Sequence, residues 1–445
     1  MEKVRLTDYV TKIFETNSLE YSEWFGYYNF DPLNFDGSKM LCNRIKKDGV
    51  NPQKGDIIEL GYYEIATNKF HICGYSDSWN WQQGAMLQWL PGHMNKNKLI
   101  YNTSKEGHLI SRIYDVKTGK EIDLSWPIYG LTPDGKKSIT LDFERSYWCR
   151  AYHYQSVVNM SKDGDIYIND GIFELDIEHN EIRTLIPIQK IIELEFNIEF
   201  LHMKHWLEHI MVSPDGSKFV FLHRYSPKDN IFQYKTRVCI ANIDGSNLRI
   251  LSDTAKFERT HFGWSPDNSF AVYSYNRGFF PDLLSLSEIL SQRPLSVLNI
   301  LKRFYIGLSL RLPGTLSKIM SGTRSYYQIF KTNGESFCID KKKTSQNFYP
   351  IDGHPSFTKD GKYIITDSYP DKNQFQHLFI LNTENGKIVD IAQLYAYYKG
   401  NPASCDLHPK LSRDNKYVVI DTAFDDRHHM IVLEIDWKQI KKKLG

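Results

Sequence analysis

Cysteine is scarce and scattered in this sequence. The six cysteines (Cys42, Cys73, Cys149, Cys239, Cys338, Cys405) show no CxxC spacing, which argues against a zinc ribbon or a disulfide framework and suits a reducing compartment. An excess of one charge is missing too. The formal net charge is only +2, so no global field recruits nucleic acid, and none is expected as a partner. No apolar run reaches the about 18 residues of a membrane-spanning helix. The opening stretch MEKVRLTDYVTKIFETN carries no apolar signal-peptide core. Residues 1–20 read as a short amphipathic N-terminal helix. With no export signal in view, the expected compartment is the cytoplasm, and a periplasmic assembly role is disfavoured.

Aromatic residues and turn signals are abundant instead. The 28 Tyr and 25 Phe favour strands. A turn core recurs as NFDG (34–37), TPDG (132–135), SPDG (213–216), SPDN (265–268), TKDG (358–361) and SRDN (412–415). Asp and Asn accept local backbone bonds there, and Gly or Asn tolerates positive φ. Each core lies between an apolar stretch and a β-branched or aromatic run, which reads as a hairpin. AMLQWLPGHMNKNKLIYNT (85–103) supplies one more unit in the long gap after the first. The units begin near 20–25, 79, 126, 205, 259, 351 and 401. Seven four-stranded units predict an all-β fold, a seven-bladed β-propeller over residues 21–445. A strand from the N-terminal region is expected to complete the last blade and close the ring.

Residues 281–322 interrupt this pattern with helical spacing, Leu-rich faces and a basic excess. They predict a helical insertion in the fifth blade. It reads as a cap on one propeller face, or as a lid, a protein-partner surface or a membrane-surface contact.

Histidine recurs in phase with the turns. His209, His261, His354 and His408 each stand about four residues before a turn core. In a propeller the innermost strand of each blade runs along the central channel, so equivalent positions should ring one channel mouth. Gathered imidazoles can bind a metal or serve as acid and base. Each could instead staple a neighbouring blade. His428 and His429 lie out of phase and read as surface residues, while His71 and His202 have no repeat support.

Several stretches resemble the propeller-type polysaccharide lyases, the oligogalacturonate and ulvan lyase group. They are SWNWQQGAMLQWLPG (78–92), HWLEHIMVSPDGSKFVFLHRY (205–225), THFGWSPD (260–267), GHPSFTKDG (353–361) and LHPKLSRDNKYVVIDT (407–422). The resemblance implies a channel-mouth site that cleaves uronic-acid glycans by β-elimination, with an acidic oligosaccharide or polysaccharide as partner. Some members of the group hold a divalent metal through His and Gln. By that resemblance His261 and His354 correspond to metal positions, with Asp352 where a second His would strengthen the match. The site therefore holds manganese or calcium through mixed His and Asp ligands, or no metal.

Elimination needs a cation facing the uronate carboxylate, a base near the C5 hydrogen and an acid for the departing oxygen. His209 or His205 is the candidate base, and Arg224 the carboxylate partner. The group's Tyr-rich motif suggests Tyr152 and Tyr154 as acids, provided a neighbouring cation lowers their pKa. Arg145, Arg150, Trp81, Gln82, Gln83 and His408 are the candidate substrate contacts. The competing expectation is a non-catalytic propeller, a glycan-binding or protein-interaction scaffold that engages partners through 281–322.

Overall fold

A computed structural model describes residues 2–46, 50, 52–149, 154, 168–227, 234–251, 258–275, 325–331, 335–339, 353–371, 373–397, 405–424 and 427–445. Arg150, Tyr152, Asp352 and the segment 281–322 lie outside the described residues.

The described residues form seven antiparallel sheets, six of four strands and one of five. The innermost strands of blades 1 to 7 are Ser22–Trp24, Gln88–Trp89, Gly130–Leu131, Met203–Val212, Glu258–Trp264, Ser356–Phe357 and Lys410–Leu411. The architecture is the seven-bladed propeller that the turn repeat predicts.

The turns work as their residues require. In SPDG, Ser213 N–H bonds the Lys218 carbonyl and Gly216 N–H bonds the Ser213 carbonyl. Asp215 accepts from the Ser213 hydroxyl at 2.6 Å and from Ser217 N–H at 2.9 Å. Gly216 closes the turn at φ 72°, and Asn268 and Asn415 do the same elsewhere at 62°. Only residues tolerant of the left-handed region fit there.

The N-terminus departs from expectation. In place of a helix over residues 1–20, Val4–Leu6 and Val10–Glu15 are strands. Val10–Glu15 pairs with Arg427–Ile435 as the outer strand of blade 7, closing the ring. Val4–Leu6 adds a fifth strand to blade 6. A bulge between Lys12 and Phe14 breaks strict alternation, so buried Val10 and Phe14 mimic helical spacing. The open edge of blade 7 offers hydrogen bonds that a short isolated helix could not match.

Neighbouring blades are joined by a buried staple that recurs four times. Asn43, Asn102, Asp367 and Asp421 each stand four residues beyond a hairpin-closing residue (Lys39, Lys98, Tyr363, Tyr417). Each accepts from a backbone N–H of the next blade. The donors are Ala85 at 3.3 Å, Ile128 at 2.7 Å, His408 at 3.3 Å, and Phe25 and Gly26 at 3.0 and 3.3 Å.

On blade 6, His377 sits between Asp371 (3.4 Å) and Asp390 (3.5 Å). Burial works to lower its pKa, but the two carboxylates together outweigh burial and the net shift is upward. Its stabilising effect is therefore complete below the ordinary histidine value of about 6.5 and is lost as pH rises through the raised value. His377→Gln is expected to lower the urea midpoint at mildly acidic pH and much less at alkaline pH. A pH-independent difference would contradict this.

Candidate active site

Counting back four residues from each turn-opening residue defines one ring position per blade. From blade 1 to blade 7 it holds Phe30, Met86, Ile128, His209, His261, His354 and His408. All seven are buried. The ring is thus apolar over three consecutive blades and histidine over the other four.

The structure brings the four histidines together. Ring centroids lie 5.8 Å apart for His209–His261, 4.0 Å for His261–His354 and 4.5 Å for His354–His408. They do not line the cavity at the hairpin end of the channel. Tyr27 and Tyr28, from the segment leading into the first hairpin, pack across the channel against them. Tyr28 lies 5.0 to 6.0 Å from His261, His354 and His408, and Tyr27 lies 5.2 Å from His209 and His408. Gly26 makes this crossing possible. Its φ is +117°, and a Cβ there would meet the Gln83 carbonyl oxygen at 2.9 Å.

Hydrogen bonds set the imidazole orientations. His354 bonds Asp367 through both its backbone N–H (2.7 Å) and Nδ1 (2.9 Å). Nδ1–H of His408 donates to the Gly26 carbonyl at 2.8 Å, leaving Nε2 as a lone pair with no hydrogen bond among the described residues. That nitrogen lies 4.0 Å from Asp406. Burial, then the neighbouring His354, hold His408 well below the ordinary histidine pKa, so it is neutral. Burial raises Asp367, and its N–H donors oppose the shift. The ligand atoms of His354, Asp406 and His408 all lie within 4.8 Å of one another. Two imidazoles and a carboxylate, one imidazole backed by a buried carboxylate, are a donor set suited to a divalent cation.

Beside this cluster, Glu208 and Arg224 form a buried ion pair at 2.7 Å. Glu208 also accepts from the Trp206 indole at 2.7 Å and lies 3.7 Å from His209 Nε2. Arg224 stacks on Tyr234 at 4.6 Å. A register shift between Glu208 and Met211, with His209 at φ 57°, turns His209 toward the axis. The Tyr27 hydroxyl meets the His209 ring at 2.8 Å, and Tyr129 accepts from His209 N–H at 3.1 Å.

Other sequence-derived candidates lie elsewhere. Both ring nitrogens of His205 are engaged: Nε2–H donates to the Phe200 carbonyl at 2.8 Å, and Nδ1 pairs with His223 at 3.0 Å. It has no lone pair left for base chemistry. Arg145 lies buried on the helix Phe143–Cys149 and donates to the His205 carbonyl at 3.1 Å; it clamps blade 4. Tyr154 is a core residue packed on Phe143 at 4.6 Å. Burial pushes its pKa well up, opposite to the tuning expected of an acid. Trp81 is buried with Trp24 and Trp79, and stacks on His428 at 4.6 Å. Gln83 donates to the Tyr129 hydroxyl at 3.0 Å, and half-buried Gln82 donates its backbone N–H to Asn80. His428 and His429, expected on the surface, are both buried; their ring stacking on Trp81 and Phe424 explains why.

Sequence reasoning missed Asp406, Asp367, Glu208 and the tyrosine pair. The Asp406–Leu407–His408 triplet was the available signal, because its carboxylate stands only two residues from an in-phase histidine.

No protein-family model matches the sequence, and no curated protein matches it. Solved structures do. An oligogalacturonate lyase in complex with manganese aligns over 96% of this chain and 93% of its own, with TM-score 0.60 and 16% identity. The fold is shared with oligogalacturonate lyase. A second, from Vibrio parahaemolyticus, aligns over 97% and 96%, with TM-score 0.58 and 16% identity. Among the described residues, no helix is long and apolar enough to cross a membrane.

Proposed function

We propose that the protein is a lyase that cleaves uronate-containing oligosaccharides or polysaccharides by β-elimination at the histidine cluster. The observation that carries this is the convergence of His354, His408 and Asp406 with the His209–Glu208–Arg224 group in one channel. The likeness in fold to a manganese-bound oligogalacturonate lyase supports it.

In this reading His209 takes the proton from C5 of the uronate. The electron pair left behind forms the C4–C5 double bond, and the C4–O bond breaks. The departing oxygen takes up a proton, delivered by water or by the His209 imidazolium, so that the proton taken from C5 is accounted for. Arg224, held by Glu208 and Tyr234, faces the uronate carboxylate as charge grows on it. Tyr27 orients His209 by accepting from one ring N–H, which leaves the other ring nitrogen as the base; burial keeps the Tyr27 pKa well above the ordinary tyrosine value. His354, His408 and Asp406 would hold a divalent cation, manganese or calcium, whose Lewis acidity would neutralise the carboxylate further.

The test is incubation with pectic, ulvan-like and capsular acidic glycans, with and without manganese or calcium, followed by the near-ultraviolet absorbance of the unsaturated product. Product that disappears on chelation and returns with metal supports the reading. Silence on every substrate, with metal demonstrably bound, overturns it and leaves the glycan-binding scaffold.

The metal set is tested separately by His408→Ala. Loss of a direct ligand is expected to weaken manganese binding by more than the about 10–100-fold typical of an outer-shell partner. Unchanged metal content by elemental analysis would exclude His408 as a ligand.

A further inference from the structure

The hairpin end of the channel holds a cavity. The first-to-second-strand hairpins of all seven blades surround a cup of about 690 Å³. None of the four histidines lines it, and Tyr28 does. Because Tyr28 also packs on His261, His354 and His408, it separates the cup from the histidine cluster.

The chemistry of the cup is uneven. Blades 6 and 7 contribute Lys359, Lys410 and Arg413. One carboxylate, Asp31, answers them, at 3.1 Å from Lys410 and 3.8 Å from Arg413. Three cations against one anion leave a local charge of +2 within the lining. Lys359 has no acidic partner among the described residues. The rest of the wall mixes aromatic side chains, among them Trp89, Trp264 and Phe35, with prolines and aliphatic residues such as Leu131, Met211 and Val212. Phe35 is 63% exposed and lies beneath Arg413 at 5.2 Å and Lys96 at 5.0 Å.

The cup is also stiff. Blades 2 to 6 each supply a proline to it, and the indole N–H groups of Trp89 and Trp264 are tied to the Pro32 and Met211 carbonyls at 3.0 and 3.1 Å. A wall fixed in this way loses little entropy on binding. Its volume falls within the range of small-ligand sites and far exceeds that of a bare inorganic anion. Cations and flat rings in one cup suit a ligand that carries both a carboxylate and a ring body.

We propose that this cup is a second, non-catalytic binding site for a carboxylate-bearing saccharide, back to back with the histidine cluster across the tyrosine partition. The site does not depend on elimination chemistry and would serve a scaffold equally well.

The test uses galacturonate, which has no glycosidic bond to cleave, titrated into the full chain after chelation and followed by ligand-detected NMR. Galactose and inorganic phosphate are the control arms. The comparison is with Lys359→Glu/Arg413→Glu, two exposed hairpin positions outside the histidine cluster, and with the milder Lys359→Ala/Arg413→Ala. The expected result is galacturonate binding that outcompetes both controls and weakens with salt. It should fall by at least about tenfold in the charge-reversed variant and by less in the alanine variant, while elimination activity stays unchanged. Three results overturn the proposal: no galacturonate binding, equal binding in the charge-reversed variant, or equally tight binding of phosphate. Failure of the lyase reading would appear separately, as absent product with intact cup binding.

Discussion

In the proposed lyase, His209→Asn is expected to lower kcat by about 10²–10⁴-fold, the usual contribution of a positioned general base, with the capacity to bind manganese unchanged. Asparagine is the informative substitution. His209 sits at φ 57°, which asparagine tolerates better than alanine does, so the bulge that presents the side chain should survive. The variant removes the imidazole facing Tyr27 and Glu208 and leaves His354, Asp406 and His408 in place. The rate loss should fall on kcat rather than KM, because proton abstraction belongs to the transition state. A variant that keeps wild-type kcat would remove His209 from the mechanism. One that loses metal as well would make its role structural.

Asp421→Ala should produce the largest loss of stability. This side chain joins the last blade to the first by accepting from Phe25 and Gly26 N–H at 3.0 and 3.3 Å. Truncation leaves two buried donors without an acceptor, at about 1–3 kcal/mol each. A total of about 2–6 kcal/mol is expected by urea denaturation. Asp421→Asn keeps one acceptor and should lose less. Burial pushes the wild-type carboxyl well above the ordinary aspartate range, against its two N–H bonds. Its contribution is therefore fullest below the unfolded aspartate value and declines as pH rises through the raised value. The Asn variant should lack that decline. Full stability in Asp421→Ala would mean that ring closure rests on the outer strand Val10–Glu15 alone.

The fold was legible because its signal is local and repeated. Turns such as TPDG, SPDG and SRDN need only their own residues to form, and each reports one blade. The in-phase histidines were legible for the same reason. Arg224 and His209 lie near each other because adjacent strands of one hairpin carry them. Tyr154, Arg145 and Trp81 misled because an aromatic or basic residue in a suggestive motif looks alike whether it faces a channel or a core. The N-terminal strands misled because a bulge imitated helical spacing and their partner edge lies more than 380 residues away in the chain.

From the sequence alone came the blade number, the ring closure and the gathering of four imidazoles, because periodic turn chemistry and fixed offsets survive without knowledge of contacts. Tertiary structure alone decided how each imidazole is hydrogen-bonded, that Asp406 joins His354 and His408, and that two tyrosines pack across the channel. Those outcomes depend on burial and on hydrogen bonds between blades distant in the chain. Gly26, for instance, meets His408 across 382 positions, a contact that no local pattern of residues encodes.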